Sequence, residues 1–457
     1  MVNDLFTAVH DSRDPAIDNL AIARPVRPVH GLLQWLPMWK PLLEGQDAQD
    51  AVVAIRAVAQ AVAATPGTVD PADRTLFWAY ATSHVDEPFA HAAYDASLDD
   101  VIAQLRTGVA VPSLYDGGLA GIGFTLAHVL DGGAEDVLEV IDEALLGTLA
   151  ERWTGSLDLA QGVVGLGVYF LERLHHQKNA ALAADGLDRI VRLLERTAHR
   201  TDLGATWLTT LDVMPEAYRS RYPDGYHDCG VAHGTPGMIG FLGRVARTTG
   251  DDRAFALACE SARWLAAQRL APHAAGRFPS ILPPALSADD FERFSRLGTN
   301  PGIDSAVSSG STPRARAAWC YGDPGLAAAI WETCPQLARE TAIDCAHRDP
   351  ATTGVRDTGL CHGAAGLAHL ANRFYQATGE AAHADAARAW YRRALDMRVG
   401  VVDGAGGFAS WRGEDCWVPS LGLLEGAIGV AMSLGSAIST TAPSWDRLLL
   451  CDCEEAS

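Results

Sequence analysis

A Gly-x-x-Gly pair followed by an apolar run recurs six times along the 457 residues, at Gly118/Gly121, Gly162/Gly165, Gly234/Gly237, Gly322/Gly325, Gly363/Gly366 and Gly426/Gly429. Self-similarity of this kind marks a repeat architecture, in which each unit buries its apolar face only against its neighbours. Each pair opens a segment such as 119–130 or 163–174 in which apolar residues dominate every face, the pattern of a buried helix. Between them lie stretches rich in Ala, Arg, Glu and Leu, such as 253–270 and 380–397, whose apolar residues follow the helical period of an outer helix. Strand signals are sparse. The alternation predicts an all-α chain arranged as a closed ring of helical hairpins rather than a sheet protein. Glycine at the start of each inner helix would let neighbouring backbones approach at the narrow end of the ring. A helical solenoid whose glycines serve packing alone is the plainer alternative.

The stretch 275–316 breaks the pattern, with Pro279, Pro283, Pro284, Pro301 and Pro313 among glycines and serines. An irregular insertion of that length in a compact chain reads as a lid or binding loop. It runs directly towards Cys320.

The residues just before the glycines carry the chemistry. Nine cysteines, odd in number and irregularly spaced, point to thiols or metal ligands rather than a disulfide framework. Cys320 and Cys361 both stand two positions before their first glycine, and His362 follows Cys361. Equivalent repeats would bring these side chains together on the ring axis. Two thiolates and one imidazole suit zinc with the fourth tetrahedral position open, as in a catalytic site. Buried free cysteines and a hydrogen-bonded core histidine are the structural alternative. In the third repeat His233 takes the place of His362. It reads as an unliganded acid or base, a Cys229/His233 metal pair being the other possibility. Asp158, a lone carboxylate in the apolar run before Gly162, reads on its own as a helix N-cap.

Taken together, Trp319-Cys320-Tyr321-Gly322, Cys361-His362-Gly363, Ala232-His233-Gly234 and the repeated glycine pair resemble the lanthionine synthetase C family, the lanthipeptide cyclases, over about 114–434. The resemblance implies an alpha/alpha toroid forming a single domain over 1–457, with the irregular insertion at about 275–316. It implies zinc on Cys320, Cys361 and His362, with His233 and Asp158 as acid/base residues and Arg316 lining the same pocket. The implied reaction is addition of a substrate cysteine thiolate to dehydroalanine or dehydrobutyrine, closing a thioether ring. The implied partner is a dehydrated precursor peptide, with a dehydratase and a transporter alongside. A zinc protein of the same family that binds glutathione or another small thiol is the rival reading. A metal-free ring enzyme working through paired carboxylates is a further one, and it would leave the two cysteines unexplained.

The formal net charge of −20, with no Lys/Arg-rich run, argues against nucleic acid. The polar start lacks a secretory apolar core, and no stretch reaches membrane-spanning length without charge, so a cytoplasmic protein without membrane insertion is expected.

Overall fold

The computed structural model describes residues 39–109, 111–149, 153–175, 180–270, 276–284, 316–400, 405–414 and 416–453. Most of the stretch 275–316 expected to form a lid lies outside them.

The fold is an alpha/alpha toroid. Its inner helices are α2 (Pro71–Ala81), α4 (Leu119–Leu130), α6 (Val163–His175), α9 (Thr235–Thr249), α11 (Asp323–Ala329), α13 (Ala364–Thr378) and α15 (Ala427–Ile438). Each packs on the next, and α15 returns to α2. The outer layer follows the same order: α3 (Pro88–Thr107), α5 (Glu135–Thr148), α7 (Ala180–Thr197), α10 (Asp252–Ala267), α12 (Pro335–Ala346) and α14 (Ala381–Asp396) each cover the inner helix that precedes them. The last inner helix is covered by the first outer one, α1 (Gly45–Ala64), and Leu42 N–H donates to Ala437 O at 2.7 Å across that seam.

Six of the seven inner helices among the described residues open on the glycine pairs, whereas α2 does not. It starts on Pro71 with Asp70 as N-cap, whose carboxylate accepts from Ala72 N–H at 2.9 Å and Asp73 N–H at 3.3 Å. A conventional cap does the work of the glycines there, so the seventh hairpin carries no repeat signature. The glycines answer a different crowding from the one expected. A side chain on Gly237, Gly325 or Gly366 would run into the carbonyl of Val231, Trp319 or Leu360, six residues back in the same repeat. Each loop folds onto the first turn of its own helix, and only a hydrogen fits between them.

Consecutive loops are laced together by their backbones. Cys361 N–H donates to Leu424 O at 2.8 Å, Cys320 N–H to Cys361 O at 3.3 Å, Val231 and Ala232 N–H to Cys320 O at 2.8 and 3.4 Å, and Ala160 N–H to Ala232 O at 3.0 Å. Ala160, Ala232, Cys320, Cys361 and Leu424 all stand two residues before their first glycine. The laced position is therefore the same in five repeats, and it sets them at one height.

Deeper in the ring, the residue ten after the first glycine is His128, Glu172, Arg244 or Arg373 in four repeats. All four are buried, and all four reach the segment 443–453, His128 through Nδ1 at 3.4 Å from Arg447 Nη2. Arg373 and His369 donate to Asp446, Arg447 donates to Glu172, and Arg244 donates to Asp452. Backbone carbonyls of the same segment accept from Tyr115 Oη and Trp319 Nε1, both at 2.8 Å. With Trp445 fully buried, this segment fills the centre of the ring.

Between α7 and α9 the chain adds strands rather than helix: β1 (His199–Thr201) pairs with β2 (Gly204–Thr206), and β3 (Leu208–Thr209) pairs with β4 (Tyr226–Asp228). The short helix α8 (Glu216–Arg219) lies between β3 and β4, and β5 (Ile281–Leu282) joins β4 on its other edge.

Candidate metal centre and its neighbouring acid/base pair

The laced loops bring one sulfur each from Cys320 and Cys361, and one ring nitrogen of His362, within 4.8 Å of one another. This is the one group of three or more potential metal ligands among the described residues. Cys320 is buried, and its thiol is held well below the ordinary range by the hydrogen bond from Cys361, against the cost of burial, with His362 and the Arg316 charge acting the same way. Cys361 is pushed up by that same hydrogen bond and by burial.

His362 tests whether a metal fits. Its Nδ1 is buried with no hydrogen-bond partner, while Nε2 lies 3.9 Å from an Asp357 carboxylate oxygen. An orphaned buried nitrogen beside two thiols is what a metal ion would satisfy. The soft sulfur-rich donor set suits zinc, with three protein ligands and one position free for substrate. Asp357 is itself fixed, accepting from Gly359 N–H at 3.2 Å and Trp411 N–H at 3.0 Å. A ligand histidine backed by an anchored carboxylate is a common arrangement.

His233 and Asp158 come from adjacent repeats, 75 residues apart in sequence, and meet with His233 Nδ1 2.9 Å from Asp158 Oδ2. The other Asp158 oxygen accepts from Gln161 N–H at 2.7 Å, so the carboxylate holds both its own loop and the imidazole. The Asp158 side chain is 9% exposed and the His233 side chain 41%. Burial pulls the His233 pKa down, but the Asp158 hydrogen bond and the charges of Asp158, Asp228 and Cys320 outweigh it and raise it above the ordinary value. With Nδ1 taken by Asp158, Nε2 is the nitrogen left for a substrate.

Two further groups stand here. Tyr321, next to Cys320, donates its hydroxyl to Asp228 at 2.7 Å, and its ring lies 6.2 Å from that of His233. Burial pushes Asp228 up to about 6, against the Tyr321 and Gly230 hydrogen bonds and the His233 charge. Asp228 was not singled out from sequence. A signal was present, because Asp228 and Asp357 both stand six residues before their first glycine and both accept from the N–H two residues on.

A cavity of about 730 Å³ opens beside this pair, with Asp158, Asp228, His233 and Tyr321 in its lining. Arg316 is exposed and is not among the lining residues, although its charge acts on both thiols. Cys229 is buried with its thiol pushed well up by burial, and stands apart from the cluster.

Residues 75–450 match the family model described as lanthionine synthetase C-like protein. Among solved structures, one titled "Nisin cyclase" superposes with a TM-score of 0.62 at 18% sequence identity, covering 82% of this chain and 89% of that one. At that identity the likeness carries the fold. No curated protein matches the chain in sequence.

Proposed function

The chain belongs to the lanthionine synthetase C-like family, and from that premise we propose that it is a zinc-dependent lanthipeptide cyclase acting, as a single domain, on a dehydrated precursor peptide. The observation that supports the reading is the juxtaposition of two different centres in neighbouring laced loops. One is the Cys320/Cys361/His362 cluster, and the other is the His233–Asp158 pair beside an open cavity.

Zinc held by Cys320, Cys361 and His362 would lower the pKa of a substrate thiol at its open position. The protein's own residues account for the rest of the addition. As the thiolate attacks the β carbon of a dehydroalanine or dehydrobutyrine, charge develops on the amide oxygen and a proton must reach the α carbon. His233, whose pKa the Asp158 hydrogen bond raises, donates that proton. Asp158 fixes the ring so that Nε2 faces the cavity, and Arg316 supplies positive charge at the thiols.

The test is zinc content and thioether formation measured on the same sample. Purified protein is incubated with a dehydrated peptide carrying one cysteine, and unreacted thiol is trapped by alkylation and resolved by mass. Stoichiometric zinc with ring closure is expected. Zinc-loaded protein that leaves the peptide thiol free but adds glutathione to it would replace the cyclase reading with small-thiol transfer.

A further inference from the structure

The ring needs only short connections between an outer helix and the next inner one. The link from α3 to α4 spans 108–118, and that from α12 to α13 spans 347–363. The link from α7 to α9 runs over 198–234 and carries β1 to β4 and α8. These extra residues contribute little to closing the ring. They line the cavity in which His233 stands, together with the loop that carries Trp153 and Asp158.

That lining has a definite chemistry. Tyr218, at 37% exposure, packs edge-on against the buried Tyr226 with ring centroids 6.3 Å apart, so its position is fixed while part of its face stays open. Trp153 lines the same cavity, held by a 3.0 Å hydrogen bond from Nε1 to Ser156 O in its own loop. Asp212 is exposed in the turn where Val213 and Met214 N–H both donate to Thr210 O. Asp158 and Asp228 line the cavity but are engaged by His233 and Tyr321, which leaves Asp212 as the carboxylate facing newcomers. Among the described residues, no lysine or arginine lines the cavity.

Aromatic faces with a free carboxylate and no competing cation select a positively charged side chain. The cavity opens on the His233 side of the metal cluster, where the acceptor of the reaction would be protonated. We infer that the insertion between α7 and α9 is a specificity element: Asp212, Tyr218 and Trp153 receive a lysine or arginine flanking the dehydrated residue of the substrate. This rests on the cyclase reading for the identity of the acceptor, but recognition of the basic side chain does not depend on turnover.

The experiment uses the full-length, zinc-loaded protein and two dehydrated peptides that differ only in Lys or Glu beside the dehydroalanine. A second pair, with serine in place of dehydroalanine and a fluorescent label, reports binding by anisotropy without chemistry. Wild type should favour the Lys peptide about three- to tenfold in both affinity and kcat/KM, the range of one exposed cation–π contact plus one ion pair. Asp212→Lys should abolish or invert that ratio, and Tyr218→Ala should weaken the Lys peptide more than the Glu peptide. Glu139→Lys, on the outward face of α5, makes the same change in net charge far from the cavity and should leave the ratio intact. Equal affinity for both labelled peptides, or an equal loss of preference in Asp212→Lys and Glu139→Lys, overturns the inference. Charge-selective binding without ring closure would leave the subsite standing and defeat the cyclase reading. Ring closure without charge preference would do the reverse.

Discussion

Asp446 offers a quantitative test of the segment that fills the ring. It is fully buried and accepts from His369 Nε2 at 2.7 Å, Arg373 Nε at 2.6 Å and Arg373 Nη2 at 2.5 Å. Burial alone would raise its pKa, but the Arg373 charge and the His369 hydrogen bond outweigh it and hold the carboxyl below its ordinary value. Asp446→Asn keeps the shape and removes the charge, leaving the guanidinium of Arg373 buried without a counterion. Breaking a buried pair in this way costs about 3–5 kcal/mol. Unfolding entropy near the midpoint is roughly 2.1 cal/mol/K per residue, or about 1 kcal/mol/K over this chain. The expected loss in Tm is therefore about 3–5 °C. Thermal unfolding followed by circular dichroism at a fixed scan rate measures it. The double variant Asp446→Asn, Arg373→Met should recover part of the loss, because no buried charge then lacks a partner. The sign with pH follows from the depressed pKa. The stabilisation is present above the unfolded carboxylate value and is lost as pH falls through the lower folded value, so the gap between wild type and variant should close in acid. A shift under about 1 °C at neutral pH, or a double variant no better than the single one, would refute the claim that this pair anchors the segment.

The remaining expectations concern the site and the seam. Cys320→Ala with Cys361→Ala should abolish bound zinc, and stoichiometric metal retained by that double variant, measured by atomic emission, would sink the ligand assignment. His233→Ala should keep its zinc while ring closure slows about a hundredfold to ten-thousandfold, the usual range for a general acid. If zinc leaves with the imidazole, His233 belongs in the coordination sphere. Burial and the Asp70 charge push Asp73, which accepts from Leu423 N–H at 3.3 Å, up to about 7. A raised carboxyl contributes stability that is full below the unfolded value of 3.8 and is lost as pH rises from there through the folded value of about 7. Wild type should thus lose stability between about pH 4 and 7, and Asp73→Asn should flatten that slope; parallel slopes would refute it.

Much of the ring was legible because its repeat is written in side chains that chemistry restricts. Glycine pairs, all-round apolar runs and the shared position of Cys320 and Cys361 are visible without coordinates, and they place the metal ligands in neighbouring loops. The hairpin of α2 was not legible, since an Asp–Pro cap opens its helix without a glycine pair. Neither was the crowding that requires the glycines, because the clash lies with a carbonyl of the same loop and carbonyls have no letter in a sequence. The buried residues ten positions past the glycines escaped notice for a different reason. His128, Glu172, Arg244 and Arg373 share a place but not a chemistry, being unified only by the segment 443–453 that each faces or binds. The wall of the cavity is an insertion, and an insertion has no period from which to be read.

The seam between α1 and α15 has a consequence for how the molecule comes into being. The hydrogen bond from Leu42 to Ala437 joins residues 395 positions apart, and closing a flexible chain over that span costs about 5 kcal/mol by the logarithmic law, before any constant term. Every other inner–outer pairing among the described residues is local in sequence, so hairpins can form one after another as the chain leaves the ribosome. The covering of α15 cannot, since its cover was made first and must wait for it. Until then the nascent protein is an open arc, with the apolar flanks of α2 and α15 unmatched. Closure thus comes late in biosynthesis, and it is the step at which chaperone capture or aggregation competes most directly with folding.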